Sequence, residues 1–418
     1  MHLTVLGAGV VGVTTAWYLR QAGHDVTVLE RRGGPAQETS FANGGQVAVS
    51  YARPWANPQA PAKVLRWLFQ QDAPLRFHPR RDLDQWRWGL KFLRECLPAR
   101  TRHNITQIVR LGLYSQECLR ELREVIALDY AQRQRGILHF YTDEKEFNSA
   151  IQPVPLMQKL GCTRHIVDPA QALRIEPALK NLTPRLVGAT YTPDDESGDA
   201  HAFTRQLARH CEAAGVHFRY DTRILSFDRE QDRIRGVRVI EQGQHRLITS
   251  DAYVLCLGSY SELLARPVGI RLNIYPAKGY SVTAPVRNEE GAYTASLTDD
   301  EYKLVYSRLG DRLRIAGMAE LAGYDPGLDH SRCQSIVRRA SECFPDGAHW
   351  DQAEFWAGLR PSTPSNVPCI GRTRYPNLFL NTGHGTLGWT HSCGSAAAIA
   401  DIVSGRDPRV VFAFSTSR

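Results

Sequence analysis

The run Val5-Leu6-Gly7-Ala8-Gly9-Val10-Val11-Gly12 restricts the possible folds more than any other stretch of the chain. It sets a GxGxxG pattern between a short apolar run, His2 to Leu6, and a helical pattern from Val10 to Arg20 that stops at Gly23. Such a junction needs Gly7 for the tight turn, Gly9 so that backbone can approach a pyrophosphate, and Gly12 so that helix and strand pack closely. The first N–H groups of the helix, around Val10 and Val11, are left to face an anion. A second strand runs from Asp25 to Leu29, and Glu30 at its end is placed to accept hydrogen bonds from a ribose, with Arg31 beside it. The opening therefore reads as a dinucleotide-binding βαβ unit, and the fold class as α/β.

No third consecutive strand follows. From Arg31 to Pro61 the chain is rich in Gly, Ser, Asn and Pro and reads as a long loop, of the kind that is usually functional in a compact domain. Within it, Ser40, Asn43, the paired Gly44 and Gly45, and Gln46 form a segment whose backbone can reach a flavin. Far downstream, Asp251 to Gly258 is a buried strand ending in glycine, and Asn381 to Thr390 is a glycine-rich turn opening a helix. In that turn Gly383, Gly385, Thr386, Leu387 and Gly388 would bring a helix N-terminus to a ring that gains negative charge near N1 and O2 on reduction. Each glycine alone is ordinary turn chemistry; in this order they favour FAD over NAD.

A chain of 418 residues holds two or three structural units at roughly 150 residues each. The stretch from Leu65 to Leu128 has helical periodicity throughout, and short β-like runs alternate with helices from Gly136 onward. Runs at Tyr275 to Val282, Lys303 to Ser307 and Leu313 to Met318 suggest an antiparallel sheet. No apolar run approaches the ~18 residues of a spanning helix. Nine cysteines, with no CxxC, support neither a disulfide framework nor a metal site and point to a reducing, cytoplasmic compartment. Lysine and arginine number 51 against 43 acidic residues, a net charge of +8 that suits an anionic substrate or membrane surface. With no recognised module and no concentrated basic stripe, nucleic acid is not an expected partner.

The segments GAGVVGVTTAWYLRQAGHDVTVLER, TSFANGGQ, YARPWANP, YPAKGYS, GLRPSTPSNVPCIGRT and NTGHGTLGWTHSCGS, spread from residue 3 to about 405, resemble the D-amino acid oxidase superfamily of FAD-dependent amine oxidoreductases, in its bacterial dehydrogenase branch. The resemblance implies a discontinuous Rossmann-like FAD-binding domain (1–85, 195–262, 355–418) and a substrate domain (86–194, 263–354) with a mixed or antiparallel sheet. It also implies oxidative deamination of D-amino acids to 2-oxo acids and ammonia, with electrons passed to a quinone-type acceptor. A same-fold enzyme of secondary amines or imino acids (D-hydroxyproline, D-proline, sarcosine, glycine) stays open.

By the same resemblance, Arg360 of the GLRP motif grips the substrate carboxylate, for which a guanidinium fork is suited. His384 sits where the family places the flavin ring. Tyr280 and Tyr306 are candidates to line the pocket, each also readable as core, and Tyr51 is a further loop candidate. Relatives that attach the flavin covalently do so through a Cys near the position of Gly358 here, so FAD is expected to be noncovalent. Between Pro54 and Pro98, Val64, Leu65, Trp67, Leu68 and Phe69, then Trp86, Trp88, Leu90, Phe92 and Leu93, alternate with basic residues. This pattern suits either a peripheral contact with the inner face of the cell membrane or packing on the substrate domain.

Overall fold

A computed structural model describes residues 1–67 and 74–415 of the chain. Leu68 and Phe69 of the apolar set lie outside the described residues, as do the side chains of Leu65 and Trp67.

The strand His2–Leu6 is buried along all but its first residue and forms the spine of a six-stranded sheet. Ala252–Leu255 pairs with it on one side and Asp25–Leu29 on the other, all parallel. His217–Arg219 extends the sheet beyond Asp25–Leu29, and Leu378–Thr382 and the antiparallel Cys369–Arg372 extend it beyond Ala252–Leu255. Strand alternation divides the apolar residues between two faces. Leu3, Val5, Val26 and Val28 pack with Leu111, Phe203 and Ile399 of the helices Pro98–Val125, Ala200–Ala213 and Gly388–Val403. Leu6, Leu29 and Leu255 pack instead under Phe227, Val237 and Val239 of a three-stranded antiparallel meander, Thr222–Glu230, Arg233–Glu241 and Gln244–Ile248. That meander stands where alternating strands and helices were expected.

A second, nine-stranded sheet runs in the order Glu354–Ser362, Tyr275–Pro285, Arg312–Leu321, Leu304–Leu309, Ser296–Asp299, Ile137–Tyr141, Gly188–Thr192, His165–Val167, with Leu75–Phe77 beside Arg312–Leu321. It is mixed: most pairs are antiparallel, but Ser296–Asp299 lies parallel to Ile137–Tyr141. One face packs Tyr280, Val282, Leu313 and Ile315 against Cys333 and Ile336 of the helix His330–Cys343. The other face carries Gly279, Val305 and Ala316 at the cavity described below.

Two sequence expectations change. Leu75–Phe77, inside the stretch read as helical, is a strand hydrogen-bonded along Ala319–Leu321, too short for periodicity to reveal. Glu354–Ser362, which carries the GLRP motif, pairs with Tyr275–Pro285 and so belongs to the nine-stranded sheet, across the expected 354/355 boundary.

Candidate active site

Both sheets end on one cavity of about 1080 Å³, bordered by both glycine-rich turns and by Arg360. At the first turn, Gly7 has φ 105°, and a Cβ there would come 2.8 Å from the carbonyl oxygen of Cys256. Glu30, expected to accept from a ribose, accepts from the backbone N–H of Ala8 and of Arg32, each at 2.9 Å, and so braces the glycine turn. Burial pushes the Glu30 carboxyl above its ordinary range, while those two N–H groups pull it back. The N–H of Val10 donates to Ser40 Oγ at 3.0 Å, tying the long loop to the start of the helix Val10–Gln21. Arg31 is engaged with Glu38 at 2.6 Å and lies 3.9 Å over the ring of Tyr260.

The loop then crosses to the second sheet. Asn43 Oδ1 accepts from the N–H of Gly45, closing a turn in which a Cβ on Gly44 would meet Val305 at 2.4 Å. Gln46 donates to Ser296 Oγ at 2.9 Å and to the carbonyl of Leu297 at 3.1 Å. Asn43, Gly44, Gly45 and Gln46 all border the cavity, but the glycines also serve loop-to-sheet contact. Gly258, Gly385, Thr386, Leu387 and Gly388 border it as well, the last at the start of the helix Gly388–Val403, whose N-terminus no side chain caps.

Two glycines named with the cofactor-binding residues lie off the cavity: Gly12 has the packing role its place in the motif predicts, and Gly383 is corrected. Gly12 does not border the cavity: a Cβ there would stand 1.9 Å from the carbonyl oxygen of Gly7, so this glycine lets helix and strand touch. Gly383 does not border it either; it has φ 79°, and its Cβ would lie 2.9 Å from Thr363 Cγ2.

On the cavity wall, Arg360 donates to the carbonyls of Met318 (2.6 Å) and Gly317 (3.2 Å), and no carboxylate pairs with it among the described residues. Burial draws the guanidinium down to about 10, which leaves it a cation at neutral pH. His384, buried at the glycine turn, has Nε2 3.2 Å from Ser395 Oγ. Burial first, and His391 second, hold it at about 3, so the ring is neutral. Tyr280 borders the cavity, but as a catalytic candidate it is corrected: its hydroxyl donates to Glu320 at 2.6 Å and its ring packs toward the helix His330–Cys343. Strand parity sends Gly279 to the cavity and its neighbour to the core. Tyr306 is likewise a core residue, against Tyr293 and Phe344.

The sequence reading missed a polar group on the cavity wall. Asp300 Oδ2 accepts from the Tyr141 hydroxyl at 2.6 Å and lies 3.0 Å from His139 Nδ1, and Asp300 Oδ1 accepts from Lys303 Nζ at 3.2 Å. Burial alone would raise the Asp300 carboxyl, but the Lys303 ammonium and these donors hold it well below the usual range. Burial and the nearby Arg164 charge lower His139 to about 4. Tyr51, stacked 6.1 Å from His139, borders the cavity beside this group. The Asp300–Lys303 turn matches no motif; only the pairing of Thr298 with His139 announces the neighbourhood.

The residues fit FAD. Gly7, Gly44 and Gly45 border the cavity at points where a Cβ would come 2.8, 2.4 and 3.1 Å from its nearest neighbour, so bare backbone is presented to the cofactor. Two helix N-termini, at Val10 and at Gly388, open on the same space. Gly358 offers no thiol for covalent attachment, and a Cβ there would meet Trp356 at 2.0 Å.

A profile of the DAO family, described as FAD dependent oxidoreductase, matches residues 2–402. The chain is 53% identical over 416 residues to the D-amino acid dehydrogenase of Dechloromonas aromatica (strain RCB), covering 99% of each chain. It is 52% identical over 407 residues to that of Paramagnetospirillum magneticum (strain ATCC 700264 / AMB-1), covering 97% of this chain and 96% of the other. Among solved structures, glycine oxidase from Geobacillus kaustophilus is similar in fold, with a TM-score of 0.75 at 20% identity, covering 98% of this chain and 96% of that one. On this evidence the chain belongs to the DAO family of FAD-dependent oxidoreductases.

Proposed function

We propose that the protein oxidatively deaminates D-amino acids to 2-oxo acids and ammonia and passes the electrons to a quinone-type acceptor at the inner face of the cell membrane. The observation that carries this reading is Arg360: a half-buried cation on the wall of the FAD cavity, held by two carbonyls and paired with no carboxylate among the described residues. Such a fork takes a substrate carboxylate through two parallel hydrogen bonds and fixes the orientation of the Cα substituents. When bound, FAD supplies the two-electron acceptor for the Cα hydride.

The chain's own residues do the rest. Arg360 binds and orients the carboxylate, Tyr51 closes the space between it and the Asp300–Lys303 pair, and neutral His384 packs at the glycine turn without adding a charge. Hydride transfer needs the amine in its neutral form, its proton having passed to solvent before the step; His384 and His139, themselves neutral, add no positive charge beside it. Water then hydrolyses the imino acid. Similarity to the two D-amino acid dehydrogenases supports the substrate class. No described helix is long and apolar enough to cross a membrane, which fits a peripheral contact. By sheet membership and packing we assign residues 1–67, 195–274 and 363–415, with the helix Pro98–Val125, to the FAD-binding unit and the other described residues to the substrate unit.

Anaerobic titration followed by the flavin spectrum tests the reading. D-alanine should bleach the yellow protein and L-alanine should not; Arg360→Ala should weaken D-alanine binding by ~2–5 kcal/mol. Bleaching by L-alanine alone, or unchanged binding in the variant, would overturn it.

A further inference from the structure

The helix Leu83–Glu95 is amphipathic in an unusual sense. Trp88 and Phe92 stack 5.2 Å apart on its inner side, in a small core with Tyr275 and Leu321. Its outer side presents Leu83, Trp86, Leu90 and Leu93, continued by Leu97, at three- and four-residue steps, with exposures of 71, 49, 70, 52 and 56%. An exposed apolar row of this length marks an interaction site more often than chance.

The row is not uniform. Trp86, Leu90 and Leu93 border the same cavity as Arg360, together with Leu75 and Phe77 of the edge strand; Leu83 and Leu97 do not. Phe77 meets Trp86 edge to face at 5.8 Å. The middle of the row is therefore the rim of the active-site cavity, and its ends are not. A zwitterionic amino acid gains nothing from such a rim, whereas a flat, lipophilic ring gains both apolar burial and aromatic contact.

We infer that the rim formed by Trp86, Leu90, Leu93 and Phe77 is the docking site of a lipophilic quinone-type acceptor, which reaches the cavity there. The inference rests on the proposed function, because it supplies the electron exit of that same site. The electrons balance: the amino acid gives up its Cα hydride and one N–H proton, two electrons and two protons in all, and the quinone takes up two electrons and two protons to become a hydroquinone.

The test compares two double variants of the holoenzyme with a short-chain quinone and with a water-soluble dye as acceptors. Leu90→Glu/Leu93→Glu should raise the KM for the quinone at least about tenfold, since each lost apolar contact is worth that order, and by at least about fivefold more than it raises the KM for the dye. Leu83→Glu/Leu97→Glu should leave both unchanged. An unchanged quinone KM in the first variant, or an equal rise in the second, would overturn the site. Photolabelling of the wild-type holoenzyme with an azido-quinone gives a readout free of turnover: label within residues 75–97 supports the rim, and label elsewhere refutes it. If no D-amino acid reduces the dye with wild type, the proposed activity fails, while the labelling still decides the docking site.

Discussion

The guanidinium of Arg360 lies across Gly279 of the neighbouring strand, where a Cβ would come within 2.2 Å of Arg360 Cζ. The three heavy atoms nearest that hypothetical Cβ all belong to this one flexible side chain. Gly279→Ala should therefore displace the fork without disturbing the sheet. The expected outcome is a rise in KM for a D-amino acid of about ten- to a hundredfold, from loss of one charge-assisted hydrogen bond geometry, with near-normal thermal stability. Steady-state kinetics beside a melting curve check it.

Gly12→Ala should behave in the opposite way. Its Cβ would stand 1.9 Å from the backbone carbonyl of Gly7, which cannot swing aside as a side chain can. The first turn must open, and the protein should purify with little flavin, at a stability cost of about 3 kcal/mol or more. The ratio of flavin to protein absorbance decides the matter.

Asp300→Asn removes the charge that balances Lys303 and weakens the acceptor shared by Tyr141 and His139. Breaking a fully buried pair costs about 3–5 kcal/mol. Lys303 keeps 36% of its side chain in solvent, so about 2 kcal/mol is expected here. Denaturant titration of the holoenzyme measures this loss.

His384 supplies a pH prediction with a definite sign. Its folded pKa, about 3, lies below the ordinary 6.5, so on acidification the unfolded chain takes up the proton first. Its contribution is fully present above pH 6.5 and is lost as pH falls from there toward 3. Relative to His384→Asn, wild type should lose stability over that window by at most about 1.4 kcal/mol per pH unit. Between pH 7 and 9 the difference should be flat. Melting curves of both proteins across pH test this, and the activity profile of wild type should show no inflection from His384 near neutrality.

Local pattern made much of the cofactor end legible. The strand His2–Leu6, the glycine turn and the helix from Val10 are contiguous, and each residue's task in the turn is set by neighbours a few positions away. Gly12 has the packing role its place in the motif predicts, but Gly383 also turned out to act through packing, because a glycine needed for close approach reads the same as one needed for a ligand. Tyr280 illustrates the harder case. Residues on alternate sides of a strand look alike in sequence when both faces are buried, as they are along Tyr275–Pro285. Only the helix His330–Cys343 identifies which face is core.

By itself, then, the sequence determined a glycine-turn nucleotide fold, its cofactor class and an arginine in a telling motif, because these rest on short-range geometry and on family-wide patterns. The tertiary structure alone decided where that arginine points and what stands opposite it. Arg360 reaches the cavity because Glu354–Ser362 pairs with Tyr275–Pro285 in a register that puts empty Gly279 beneath the fork. Asp300, Lys303, His139 and Tyr141 meet because Ser296–Asp299 lies parallel to Ile137–Tyr141, about 160 residues away along the chain. Register between distant strands is set by the packing of whole sheets, and a one-residue slip would have turned each of these side chains to the other face.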